Sequence, residues 1–130
     1  MSQELEKQRL MTLARRLASA TSARAARWEV RDGDIYAWES AEGSVTIASR
    51  DRDQEPPYEL TVYNADGDAV DELTSDLLDD DQPAPWNETL VELYRTARRS
   101  ALRADEVIEA LMDSLPASNA LGEAEWQRSL

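Results

Sequence analysis

The first apolar pattern in the chain has the spacing of an amphipathic helix. Between residue 3 and about residue 23, Leu10, Leu13 and Leu17 recur every three or four positions, with arginines and glutamates on the other sides. This spacing predicts one helix with a narrow apolar stripe, which needs another element to cover it.

From residue 28 onward, apolar and polar positions alternate, which is the period of a β-strand. The clearest alternating run is at residues 58–63. Residues 32–33, 42–43 and 64–67 each end in glycine and separate the alternating runs, as tight turns do. We therefore predict an antiparallel meander of four or five strands in the middle of the chain.

A second helical pattern follows an acidic, proline-containing linker at residues 76–85. From a cap predicted at Asn87, apolar residues repeat every three or four positions as far as Leu115, and Pro116 ends the helix. The pattern also allows a break between residues 100 and 105, because an aspartate at the end of that stretch could start a second helix.

The two helical patterns and the meander together predict one fold. An antiparallel sheet with one solvated face needs its other face covered, and the two amphipathic helices supply that cover. The fold class is α+β, with an N-terminal helix, a meander of four to five strands, and a long C-terminal helix packed on one sheet face. We predict that residues 1–115 form a single domain. Residues 116–130 are predicted to be a C-terminal tail, which we expect to be partly disordered. Three tryptophans are expected to anchor the core: Trp28, Trp38 and Trp86.

The composition of the 130-residue chain excludes many kinds of chemistry, because it contains no cysteine and no histidine. Disulfides, thiolate nucleophiles, imidazole bases and nearly all transition-metal sites built from side chains are therefore excluded. Lys7 is the only lysine, which argues against a phosphate-loop or Schiff-base lysine. We predict a protein that is not an enzyme and uses no metal or cofactor.

The charge balance of 27 acidic and 14 basic residues gives a formal net charge of −13 and a pI near 4.3. Such a field repels the phosphate backbone, so we predict no binding to nucleic acid. The same acidity fits a protein of a high-GC or salt-adapted organism, or a mimic that offers carboxylates to a DNA-binding partner. Without a long apolar run or a signal-peptide pattern, we predict a cytoplasmic protein without membrane contact.

Two acidic groups could hold a divalent cation loosely. One is the alternating set Asp51, Asp53 and Glu55, and the other is the run at residues 79–81. Charge runs of this kind are usually solvated loops, so we assign no metal site to either group.

Four arginines lie close together on the predicted C-terminal helix. Arg95, Arg99 and Arg103 are spaced by four residues, and Arg98 is adjacent to Arg99. Like charges at this spacing repel by about 0.2–0.5 kcal/mol per pair, so anions should lie nearby, and Glu92 and Glu106 can offset part of the repulsion. One interpretation is internal pairing with carboxylates of the meander or of the acidic linker, and the other is docking of an acidic partner or a phosphate group.

A second candidate surface lies on the predicted sheet. Tyr63 is expected on the sheet face opposite to Val62. If that face is uncovered, Tyr63 together with Thr46, Ala48 and Thr61 forms a flat patch suited to a protein partner.

Three segments resemble small acidic proteins that are widespread in actinobacteria. The segments are SVTIASR at residues 44–50, PYELTVYN at 57–64 and LYRTARRSAL at 93–102. The resemblance covers the chain from about Leu13 to Leu115. It implies a bacterial, high-GC, cytoplasmic source and a freestanding domain, and it implies no activity, cofactor or catalytic residue.

These observations predict a non-enzymatic protein-interaction module that could form a homodimer and that binds an unidentified protein. Its surface would be either the open sheet face around Tyr63 or the arginine group of the C-terminal helix. The alternatives are an acidic inhibitor or DNA mimic, and a carboxylate-dependent enzyme with a divalent metal.

Overall fold

The computed structural model describes residues 2–75 and 86–116, with side chains from Leu5 onward. The predicted acidic linker with its aspartate run and the predicted tail beyond Pro116 lie outside the described residues. The elements are α1 (Ser2–Ser22), β1 (Glu29–Arg31), β2 (Ile35–Ser40), β3 (Gly43–Ser49), β4 (Tyr58–Asn64), β5 (Ala69–Thr74), α2 (Asn87–Ala101) and α3 (Ala104–Ser114).

The five strands form one antiparallel sheet in the order β1-β2-β3-β4-β5. The predicted α+β fold with an antiparallel meander is confirmed, at five strands. The register places Tyr36 opposite Ile47, Ile47 opposite Leu60, and Leu60 opposite Leu73. Because side chains alternate along a strand, this row projects from one face of the sheet, and all four side chains are buried.

Helices α1 and α2 pack against each other and cover that row. Leu17 of α1 and Leu90, Leu93 and Ala97 of α2 are buried in the same cluster as the sheet row. Burial of one such leucine stabilises the fold by roughly 1.5–3 kcal/mol relative to an exposed position. The apolar stripes predicted for α1 and for the first part of the C-terminal pattern therefore form the core.

The prediction of one long C-terminal helix is wrong beyond Ala101. Helix α2 ends there, and α3 begins at Ala104, inside the stretch where the sequence allowed a break. Between them Arg103 adopts left-handed backbone angles, φ 57° and ψ 43°, which interrupt the helical hydrogen-bond ladder and turn the chain. The predicted cap is also displaced by one residue, because Trp86 and not Asn87 occupies the N-cap position of α2.

Gly43 begins β3 at a point where two strands approach closely. It pairs with Ser40 on one side and with Asn64 on the other. A Cβ atom at this position would collide with the backbone carbonyl oxygen of Tyr63. The second predicted turn therefore depends on glycine for space.

Three tyrosine rings form an aromatic group between α2 and the sheet. The ring of Tyr94 stacks on Tyr58, with centroids 4.4 Å apart, and is tilted against Tyr36 at 5.7 Å. The Tyr58 hydroxyl donates a hydrogen bond to the carbonyl oxygen of Gln54 at 3.1 Å. The buried Tyr94 hydroxyl has no hydrogen-bond partner among the described residues, and burial, reinforced by Tyr36, raises the pKa of Tyr94 to about 12.

The substitution Gly43→Ala should lower the free energy of unfolding by about 1–3 kcal/mol, because the added methyl group forces β3 away from β4. Urea denaturation measures this loss. The matched control is Gly33→Asn, in a turn where an added Cβ meets no atom and where asparagine tolerates a positive φ. Equal stability of Gly43→Ala and the wild type would contradict the close approach.

The substitution Tyr94→Phe should leave stability at pH 7 unchanged or higher, because it removes a buried hydroxyl without a hydrogen-bond partner in the described structure. Between pH 10 and pH 12 a tyrosine in the unfolded chain is ionised while native Tyr94 keeps its proton, so stability falls as pH rises. Tyr94→Phe should make that alkaline fall shallower in urea denaturation. The control Tyr58→Phe loses the hydrogen bond to Gln54 and should cost about 1 kcal/mol at pH 7.

Candidate functional site

The acidic side of α3 faces the body of the protein and is held there by ion pairs. Asp105 lies 2.6 Å from Arg99 and 3.5 Å from Arg24, both measured between guanidinium nitrogen and carboxylate oxygen. Glu106 and Glu109 form further ion pairs of 3.4–3.5 Å with arginines of the α1–β1 connection and of the α2–α3 corner. Helix α3 is therefore attached mainly through charged side chains.

The apolar side of α3 points to solvent. We call it the α3 apolar face, and it consists of Leu102, Val107, Ile108, Leu111, Met112 and Leu115, each 44–61% exposed. Within the described part of the chain, α3 buries none of its side chains. The expectation that this stripe packs on the sheet is wrong, because the left-handed turn at Arg103 directs the acidic side of α3 to the body instead.

The structure brings together three of the four arginines predicted as a binding group. Arg95 forms a 2.8 Å ion pair with Glu92 of α2, while Arg99 and Arg103 pair with carboxylates of α3. Internal pairing thus occurs with Glu92 and Glu106, as the spacing predicted, and also with Asp105. Among the described residues these three arginines form no ion pair with the meander, and the acidic linker lies outside the described residues. Arg98 lies apart from this group, with its Nε atom buried near Tyr94 and without a hydrogen-bond partner among residues 2–75 and 86–116.

A cleft of about 630 Å³ lies between the α1–β1 connection and the α2–α3 corner. Five arginines line what we call the arginine cleft: Arg24, Arg27, Arg95, Arg99 and Arg103. Trp28 fixes one wall, because its backbone N–H donates to the Ser100 hydroxyl at 3.0 Å and its Nε1–H donates to the Thr21 hydroxyl at 2.8 Å. The bond to Ser100 holds the connection that carries Arg24 and Arg27 against α2, and the bond to Thr21 holds it against α1.

Sequence reasoning missed two of the five arginines of this cleft. Arg24 and Arg27 are about seventy residues away from α2 in the chain, in a connection without helical or strand spacing. The available signal is that Arg24 and Arg27 lie within four residues of Trp28 in the chain. This proximity becomes informative only once Trp28 is known to contact Ser100.

Tyr63 lies where the sequence placed it, on the sheet face away from the helices. It is half-buried, pairs with Ser44 of β3, and adjoins a bulge between β4 and β5. Thr61 and Thr46 are paired on the same face. The part of the chain that the structure describes has no helix over this face, and the residues that line the arginine cleft do not include Tyr63.

The acidic loop that joins β3 to β4 is organised by its own hydrogen bonds. Asp53 accepts bonds from the backbone N–H of Glu55 and from the Ser49 hydroxyl, each at 3.0 Å, and these bonds lower the pKa of its carboxyl group. The carboxylate of Asp53 is therefore used to stabilise the β3–β4 loop. Among the described residues, no group of three or more Asp or Glu side chains is placed to hold a metal ion.

Comparison with known proteins adds no assignment to this site. No protein-family model, curated protein or solved structure matches the chain significantly.

Within residues 2–75 and 86–116, no helix is both long enough and apolar enough to cross a membrane.

The attachment of α3 should depend on salt concentration, because exposed ion pairs contribute at most about 1 kcal/mol each and are screened by salt. Raising NaCl from about 0.05 M to about 1 M should speed amide hydrogen exchange in α3 and leave α1 and α2 nearly unchanged. Asp105→Asn should also speed amide hydrogen exchange in α3 at low salt, because it removes the carboxylate that pairs with Arg24 and Arg99. Asp113→Asn is the matched control, since Asp113 lies on α3 outside these ion pairs, and equal effects of the two variants would contradict the attachment.

Proposed function

We propose that the protein is a non-enzymatic protein-interaction module that binds through the α3 apolar face. The observation that carries the proposal is the orientation of α3. The six apolar side chains of the α3 apolar face, four on α3 and one flanking each end, are 44–61% exposed, while the carboxylates of α3 contact the body. An amphipathic helix normally buries its apolar side, and a contiguous exposed apolar patch in a folded protein typically marks an interaction site.

The occupant that fits this face best is a second copy of the chain. The net charge of −13 makes two copies repel each other, so they approach most easily where the local charge is balanced. Three carboxylates of α3 form ion pairs with arginines of the body and of the α2–α3 corner, so the negative charge of α3 is largely neutralised locally. The carboxylates are Asp105, Glu106 and Glu109, and the arginines are Arg24, Arg27, Arg99 and Arg103.

The geometry of a single exposed helix face also suits self-association. Two α3 helices of 11 residues, each about 16 Å long, can lie antiparallel about a two-fold axis, so that each copy supplies the same surface. The patch offers a few hundred Å² per copy, less than the ~800 Å² that each partner contributes to a standard stable interface. The expected product is a weak, reversible dimer.

The two surfaces predicted from sequence offer less to a partner. The sheet face around Tyr63 carries Thr61 and Glu72, which are polar and gain little from burial, and Thr46 on the same face is already buried. The arginines of the C-terminal helices line a cleft and contact carboxylates of the same chain, so they do not form a flat surface for a protein partner. The α3 apolar face is therefore preferred over both.

The substitution Leu111→Glu should abolish self-association, because it places a charge at the centre of the α3 apolar face. Sedimentation velocity at about 0.15 M NaCl, with protein from about 10 μM to about 1 mM, should give a rising sedimentation coefficient for the wild type only. Val70→Glu on β5 is the matched control, since Val70 is 58% exposed and Leu111 is 61% exposed.

The control should associate like the wild type. A monomeric wild type throughout this concentration range, or equal loss of association in both variants, would contradict self-association through α3.

A further inference from the structure

The arginine cleft holds more hydrogen-bond donors than the surrounding carboxylates use. Each guanidinium carries five N–H donors, and a strong charge-assisted bond to oxygen spans about 2.7–2.9 Å. Arg24, Arg27 and Arg103 reach their carboxylate partners only at 3.4–3.5 Å. Among the described residues these three arginines are therefore loosely paired, and they retain donors that a tighter-fitting anion could use.

The cleft also has the opposite charge balance to the rest of the chain. Its lining contains five arginines and three carboxylates, Glu29, Asp105 and Glu106, whereas the whole chain has 27 acidic and 14 basic residues. The negative field of the chain repels small anions in general. An anion that overcomes this repulsion would bind where positive charge is concentrated, and within the described residues the cleft is such a place.

The size and construction of the cleft fit a small molecule. Its volume of about 630 Å³ lies within the usual range of roughly 300–1,000 Å³ for ligand pockets. The hydrogen bonds of Trp28 to Thr21 and Ser100 tie the α1–β1 connection to both α1 and α2, so the arginines of the connection and of α2 are held around one space. Arginines from several elements can contact the oxygens of one phosphate group or of two linked phosphate groups.

We propose that the arginine cleft binds a small molecule that carries one or more phosphate groups. The phosphate oxygens accept hydrogen bonds from the guanidinium N–H donors of Arg24, Arg27 and Arg99 that do not contact Asp105 or Glu106, so the ion pairs of α3 remain in place. The buried side chain of Trp28 supports the cleft wall. This site is independent of the α3 apolar face, because the cleft adjoins the opposite, acidic side of α3.

Isothermal titration of the full chain with inorganic pyrophosphate, at about 0.05 M salt and without divalent cations, tests the proposal. The expected result is saturable binding with one site per chain, accompanied by shifts of arginine Nε–H and Trp28 indole signals in ¹⁵N–¹H NMR spectra. Arg99→Gln and Arg24→Gln should each weaken binding by about tenfold or more, because each removes a charge-assisted contact.

Arg50→Gln is the matched control, since Arg50 is also ion-paired and its side chain is 46% exposed, against 45% for Arg99. It should keep the wild-type affinity within about twofold, because it lies outside the cleft. Arg27→Gln provides a second cleft variant whose fold is not at risk, because its side chain is 72% exposed and its ion pair is 3.4 Å long.

Two results would overturn the proposal. One is the absence of saturable binding to the wild type. The other is an equal loss of affinity in Arg50→Gln and in the cleft variants, all of which keep the fold of the wild type by NMR. Equal loss would mean that pyrophosphate responds to the net charge of the protein and not to the cleft. A monomeric protein that binds pyrophosphate in the cleft would contradict self-association and leave this site supported.

Discussion

Trp28 joins the elements that meet at the candidate site. Its indole N–H donates to the Thr21 hydroxyl at the end of α1, its backbone N–H donates to the Ser100 hydroxyl near the end of α2, and its backbone leads directly into β1. The packing of α1 on α2, the position of the arginines before β1, and the position of the α2–α3 corner all depend on this attachment. A rigid, satisfied polar contact inside an apolar cluster selects one arrangement of helices among the several that a helix pair can adopt.

The meander could be predicted because its signals are local. Glycines at residues 33, 43 and 67 mark the turns, and alternation between them identifies which side chains share a face. The tyrosine on the open face was placed correctly for the same reason. Each of these inferences needs only a few consecutive residues.

The orientation of α3 could not be predicted in this way. Periodicity shows that Val107, Ile108 and Leu111 share a face, but it does not show whether that face is buried. The direction in which this face points depends on the left-handed backbone conformation of Arg103. It also depends on Arg24 and Arg27, about eighty residues earlier in the chain, which contact the acidic side of α3. The arginine cleft has the same origin, since Arg24 and Arg27 approach α2 only through the tertiary contacts of Trp28.

The strict sequence order of the strands has a consequence for how the chain folds. Every strand pairs with its immediate neighbour in the chain, so each pairing closes a short loop at low entropic cost. The contact between Trp28 and Ser100 instead joins residues 72 positions apart and encloses the whole sheet. We therefore expect consecutive hairpins to form first and to provide the surface on which α1 and α2 pack. The arginine cleft would then form last, because it needs the contact between Trp28 and Ser100.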